Sequence, residues 1–282
     1  LVAERAPQHS VDHLAAERGG ERAVDRVEHH VRRHDRGQVL RQGAEGRELH
    51  GEREIPALLG DLWPEMWRDG YRAIAAEVSP WAAHRLVSGS PGGATVKGLW
   101  TAREAAFVQS LSPVRRREVL WGCDMDEMQI DLLIRDLAAA NPSDARLARA
   151  LALLGAGYSR ALAANLLALV RAARPVHDVQ VQGTSLYANV VAGLEVESLR
   201  ASPATRLGAS LRREALMKEL FYRHYEKNLR PGEKVFARFG RNHLHRGYDA
   251  RGVSTLGNFI AEIAVARGAE VFNVAVFAGG GQ

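Results

Sequence analysis

Short apolar runs set between long stretches of helical periodicity restrict what this chain can fold into. Tyr71–Val78, Arg117–Gly122 and Lys234–Gly240 each have the length and apolar content of a strand. Ser79-Pro80 ends the first, Cys123-Asp124 follows the second, and the turn Pro231-Gly232 introduces the third. Around them apolar residues recur every three or four positions. Ile55, Leu58, Leu59, Leu62, Trp63 and Met66 predict a helix ending near Gly70. Further helices are predicted over 126–140, within 144–172, and over 185–197, 208–228 and 254–267, with a last strand over 270–277. Asp126 falls in the first turn of its predicted helix, where an acid suits the helix dipole. Strands alternating with helices predict an α/β class, a layered sheet flanked by helices, with an α-helical insertion over about residues 126–230.

Composition narrows the setting. At 282 residues the chain can bury a substantial core, and its single cysteine, Cys123, excludes an intramolecular disulfide and a cysteine-only zinc site. The formal charge of +5 invites a nucleic-acid reading, but only four of the 38 basic residues are lysine and the arginines are scattered. That pattern fits a GC-rich coding sequence better than a binding stripe, so no nucleic-acid partner is expected. No run is long and apolar enough for a membrane span, and residues 1–20 lack the apolar centre of a signal peptide. The expectation is therefore a cytoplasmic protein with a small-molecule substrate and no membrane partner. The five tryptophans, Trp63, Trp67, Trp81, Trp100 and Trp121, read as core and cover.

Residues 1–46 differ from the rest. They contain no aromatic residue and no lysine, yet hold five of the eleven histidines: His9, His13, His29, His30 and His34. A polar arm without stable structure is the expected reading, preferred to a metal tract built on His29, His30 and His34. The domain proper is expected over 47–282. The chain stops at Gly279-Gly280-Gly281-Gln282, just after the last predicted strand, which reads as a fragment end as much as a natural terminus.

Residues able to carry chemistry gather at strand ends. Glu77, Asp124 and His243 lie at or just after the C-terminal ends of predicted strands, the edge at which open α/β sheets bind ligands. Glu48 and His50 would join them if a strand preceded, although only Val39-Leu40 is apolar in that stretch. Gly51 lets backbone approach His50, and Glu48, Glu54 or Glu77 could hold its ring in one tautomer. His243 and His245 stand two apart, and one of them is expected to be structural. Arg212-Arg213-Glu214 reads either as a solvated helix face or as the place from which Arg213 reaches a pocket to hold a carboxylate or developing oxyanion. Arg238 lies mid-strand between apolar residues, so it needs a carboxylate partner or a place in the pocket.

The order of these motifs resembles the erythromycin esterase-like family, part of a wider superfamily with haem-uptake and metalloprotease relatives. The likeness is carried by Glu48-x-His50-Gly51-x-x-Glu54-Ile-Pro, Tyr71–Glu77-Val78-Ser79-Pro80, Leu120-Trp121-Gly122-Cys123-Asp124, Arg213-Glu214-x-x-Met217 and Gly240-x-x-His243, spread over about residues 47–278. The resemblance implies an α/β fold with a helical insertion, and a hydrolytic site in which His50 is the general base. Glu48 and Glu77 would be its acidic companions, with His243 opposite. The chain departs from the family pattern at Arg47, where glycine is usual, and at Leu49, one residue where two commonly separate Glu from His. Leu220 stands where a polar residue is typical. These departures make a macrolide lactone a poor substrate expectation.

Residues and resemblance together predict a hydrolase of an ester or related acyl bond. His50, Glu48, Glu77 and His243 would be catalytic, and Arg213, Asp124, Arg238 and His245 would bind substrate. No cofactor is required in that reading. An alternative places a divalent metal among Glu48, His50, Glu77 and His243 for amide or peptide hydrolysis. Another is a non-catalytic protein that binds haem or another small ligand through His243 or His245.

Overall fold

The computed structural model describes residues 2–4, 54–88, 102–111, 119–155, 157–173 and 175–273. Within them the chain forms an α/β fold, a sheet with helices packed on both faces. The strands are β1 (Val2–Glu4), β2 (Tyr71–Ala76), β3 (Leu120–Gly122), β6 (Lys234–Arg238) and β7 (Val271–Phe272), in the order β3-β2-β6-β1-β7. β3, β2 and β6 run parallel, whereas β1 is antiparallel to both β6 and β7. β1 corrects one expectation: Val2–Glu4, assigned to the unstructured arm, is a strand of the sheet. Its backbone groups pair on both sides, which a local reading of a polar arm cannot anticipate.

β2 is the centre of the site-bearing half. Ala73, Ile74, Ala75 and Ala76 are buried, and small side chains on a central strand let helices approach from both faces. Alternation sends Ile74 and Ala76 to one face, with Leu120 of β3, and Ala73 and Ala75 to the other, with Trp121, Val235 and Ala237. The first face is covered by α1 (Glu54–Arg68), α2 (Pro80–Ser88) and α3 (Ala102–Ser110), which adjoin α4 (Ile130–Ala140), α5 (Ala145–Leu154) and α6 (Ala163–Ala172) in the same core. A two-residue hairpin, β4 (Gln180–Val181) and β5 (Thr184–Ser185), leads into α7 (Leu186–Arg200), which contributes to both cores. The second face carries α8 (Arg206–Asn228) and α10 (Leu256–Ala266). The described chain between β3 and β6 is mostly helical, and the last of these helices, α8, is part of the sheet's own packing.

Two local devices finish the sheet edge. Gln182, at the β4–β5 turn with φ of 50°, donates from Nε2 to the Leu120 carbonyl at 2.7 Å and accepts from Gly122 N–H at 2.8 Å. Its amide thus pairs with the outer side of β3 as a strand would. Gly122 itself cannot carry a Cβ, which would lie 2.5 Å from the Pro80 nitrogen and the Ser79 carbonyl oxygen. Asp126 differs from expectation. It precedes α4 rather than lying in its first turn, accepts from Met128 and Gln129 N–H, and receives the Ser79 hydroxyl at 3.1 Å. Of the tryptophans, Trp63, Trp81 and Trp121 are buried and Trp67 packs against the core, while Trp100 lies outside the described residues.

Candidate active site

Glu77 continues β2 by one residue. Its N–H donates to the Arg238 carbonyl at 3.1 Å, and parity places its side chain with Ala73 and Ala75 on the α8 face. Asp124 follows β3 in the same way, its N–H donating to the Val78 carbonyl at 3.0 Å. Two carboxylates therefore emerge side by side at the C-terminal edge of parallel strands, both buried. Arg213 comes from α8 to meet them. Its Nε donates to Asp124 Oδ1 at 3.0 Å, and its Nη2 donates to Glu77 Oε1 at 2.9 Å and to Asp124 Oδ2. Burial alone would lower the guanidinium pKa, but the charges of Asp124 and Glu77 outweigh it and hold the pKa above its ordinary value.

His243 sits beside this fork. It lies on the one-turn helix α9 (Arg241–Leu244) that follows β6, and its N–H donates to the Gly240 carbonyl at 2.9 Å. Nδ1 is 2.5 Å from Glu214 Oε1, and Nε2 is 3.4 Å from Glu77 Oε1. An ionised carboxylate only accepts, so Nδ1 carries a proton and Nε2 is the nitrogen free to exchange one. Burial opposes the charged ring, yet the Glu214 hydrogen bond and the Glu77 charge raise the pKa above the ordinary histidine value. The second oxygen of each carboxylate is also engaged. Glu77 Oε2 accepts from Gly240 N–H at 2.6 Å, and Glu214 Oε2 accepts from Leu256 N–H at the start of α10 at 2.9 Å.

The structure thus brings together four of the expected residues: Glu77, Asp124, Arg213 and His243. It treats the remaining two described ones differently. His245 is exposed, and its carbonyl accepts from the Thr255 hydroxyl. Arg238 supplies its backbone carbonyl to Glu77, while its side chain shares parity with Phe236, which packs on the opposite face from Ala237. Glu48 and His50 lie outside the described residues, as do His29, His30 and His34 of the arm; the Glu54 side chain does too.

Glu214 is the residue sequence reasoning missed. The signal was present: Glu214, Met217 and Phe221 follow the three- and seven-residue spacing of a buried stripe, and both apolar members are fully buried. A carboxylate on such a stripe requires a partner. Among the described residues, no group of three or more His, Cys, Asp or Glu side chains is placed to hold a metal ion. Glu77 and Asp124 face the Arg213 guanidinium. Among the same residues no helix is long and apolar enough to cross a membrane. Comparison of the chain with protein-family models, with curated proteins and with solved structures produced no match.

Proposed function

We propose that this chain hydrolyses an ester or related acyl bond at the C-terminal edge of β3, β2 and β6. The observation that carries the reading is the placement of His243, held by Glu214 on Nδ1 and facing Glu77 through Nε2, next to the Arg213 fork. A ring so held presents a charged N–H donor, and its buried setting strengthens any hydrogen bond to a developing oxyanion. At 3.4 Å the Nε2–Glu77 contact is long enough that a substrate oxygen can replace it. Arg213 offsets one of the two negative charges on Glu77 and Asp124, which reduces their repulsion of the incoming negative charge.

In this reading His50, assigned from the family resemblance, takes a proton from water as the oxygen adds to the acyl carbon. Glu48 and Glu77 orient that histidine and balance its charge. The bond to the leaving alcohol then breaks, and the proton passes to its oxygen. General-base assistance is worth about 10²–10⁴ in rate, and one oxyanion donor about 10²–10³.

The test is a panel of short-chain and aryl esters with the wild type, His50→Ala and His243→Ala, each checked for folding by circular dichroism. Either substitution should lower kcat by about a hundredfold or more. Full activity of His50→Ala would remove it as the base. No turnover by the wild type on any ester would overturn the hydrolase reading. Loss of turnover on chelation, restored by zinc or manganese, would favour the metal-dependent alternative.

A further inference from the structure

A second charged cluster stands next to the site on helices that the hydrolytic reading leaves unused. Arg160, at the short turn before α6, and Arg200, the last residue of α7, both reach Glu197, whose carboxylate is only 2% exposed. Arg160 Nε donates to Glu197 Oε2 at 2.9 Å, and Arg200 Nη1 donates to Oε1 at 2.9 Å. One buried carboxylate thereby fixes two guanidiniums side by side. The Tyr158 hydroxyl is buried close to Glu197 and Arg160. On the outer side lies Glu127, 39% exposed, with Oε1 2.8 Å from Arg200 Nη1 and 3.7 Å from Arg160 Nη2. A single carboxylate oxygen thus spans both cations.

Glu127 belongs to the loop that follows β3, three residues beyond Asp124. Its charge and that of Arg213 act on each other, so the two clusters are electrostatically contiguous. With Glu197 fixed inside, the arginine pair keeps one positive charge, and the anion that balances it is a half-exposed side chain on a loop. Ion pairs at such exposure contribute little, so an incoming anion can exchange with Glu127 at small cost. A carboxylate or phosphate offers two or more oxygens in the geometry that paired guanidiniums hold best.

We propose that Arg160 and Arg200 form an oxyanion-binding subsite beside the Arg213–His243 site, which takes a carboxylate or phosphate group of the substrate and which Glu127 occupies until that group arrives. Its substrate role rests on the hydrolase reading; its capacity to bind an anion does not.

The test uses the full chain in two arms. In the first, inorganic phosphate and succinate are titrated calorimetrically at low ionic strength into the wild type, Glu127→Gln, Arg160→Gln and the double variant Arg160→Gln/Arg200→Gln. Removing the internal competitor should tighten binding by about fivefold, and loss of the arginines should abolish it. The double variant leaves Glu197 unpaired, so Glu127→Gln and Arg160→Gln carry the test if it does not fold. No anion affinity in Glu127→Gln overturns the subsite. In the second arm, para-nitrophenyl hemisuccinate is compared with para-nitrophenyl acetate. Arg160→Gln should raise KM for the hemisuccinate and leave acetate turnover unchanged. Anion binding without any preference for the hemisuccinate overturns the substrate role and assigns the site to free phosphate. Anion binding with no ester turnover at all overturns the hydrolase reading and leaves the subsite standing.

Discussion

Arg213 is the residue on which the buried charge balance turns. Replacing it by alanine leaves Glu77 and Asp124 with only the more distant His243 ring, 3.4 Å from Glu77, as counter-charge. Breaking a buried ion pair from one side costs about 3–5 kcal/mol, so Arg213→Ala should unfold at markedly lower urea concentration than the wild type. Glu214→Gln tests a different quantity. His243 gains its proton affinity from Glu214 and Glu77, so the ring stays charged to higher pH than an ordinary histidine. Its stabilising contribution is complete below the unfolded-state value of about 6.5 and is lost as pH rises through the raised folded value. Any turnover that needs the imidazolium should fail on the same alkaline side. Glu214→Gln should move that limb of the pH–rate profile to lower pH; an unmoved limb would show that His243 is not the group titrating. At this scale the sequence was informative where chemistry sits at strand ends, as with Glu77 and Asp124. It was misleading at Glu214, because a charged residue beside two arginines on a helix looks solvated unless the buried stripe is followed through it.

The elements that carry these residues depend on close backbone approaches. Gly257, in the first turn of α10, has no room for a Cβ, which would collide with the Leu244 backbone of α9. Gly257→Ala should therefore push α10 away from α9 and disturb both the Leu256 N–H bond to Glu214 and the seat of His243. A cost of about 1–3 kcal/mol is expected from such overpacking, measurable as a lower Tm together with reduced turnover. Helix α8 couples core to site in a similar way. Met217 is fully buried one turn beyond Arg213, so Met217→Ala should cost about 2–5 kcal/mol in urea unfolding. The periodic helices and the β2 and β6 strands were legible from spacing, since burial of one face imposes that spacing. Val2–Glu4 was not legible, because a three-residue strand has no period to show and owes its state to the two strands that flank it.

Over the whole molecule, two buried groups make stability depend on pH in opposite senses. His224 stacks on Trp121 with ring centroids 5.4 Å apart, and burial, with the nearby charges of Arg223 and Lys227, lowers its pKa to about 4. The unfolded chain takes up that proton first, so this contribution is full above about 6.5 and falls away as pH drops toward 4. Asp126 is raised to about 6, chiefly by burial against the hydrogen bonds it accepts. Its contribution is full below the ordinary aspartate value and is lost as pH rises through 6. The two trends offset each other between about pH 4 and 6.5. Single variants should separate them. Between pH 7 and 4.5, His224→Phe should gain about 2–3 kcal/mol relative to the wild type in chemical unfolding. Asp126→Asn should gain relative to the wild type in the other direction, from pH 4 to pH 8. If neither difference changes with pH, these groups do not titrate as their burial requires.

The amino-acid sequence by itself determined the alternation of helix and strand, and with it the α/β class and the strand-end positions of Glu77 and Asp124. Local spacing suffices for these, because each element must bury one face and each strand must stop at a turn. Only the tertiary structure decided that Arg213 bridges two strand ends, that Glu214 holds His243, that His245 stays outside and that Arg238 contributes its carbonyl. Glu77 and Arg213 are 136 residues apart, and no periodicity spans that distance. Packing of α8 against β2 and β3 brings them together, and burial then makes the pairing obligatory because a lone charge there would go unsatisfied.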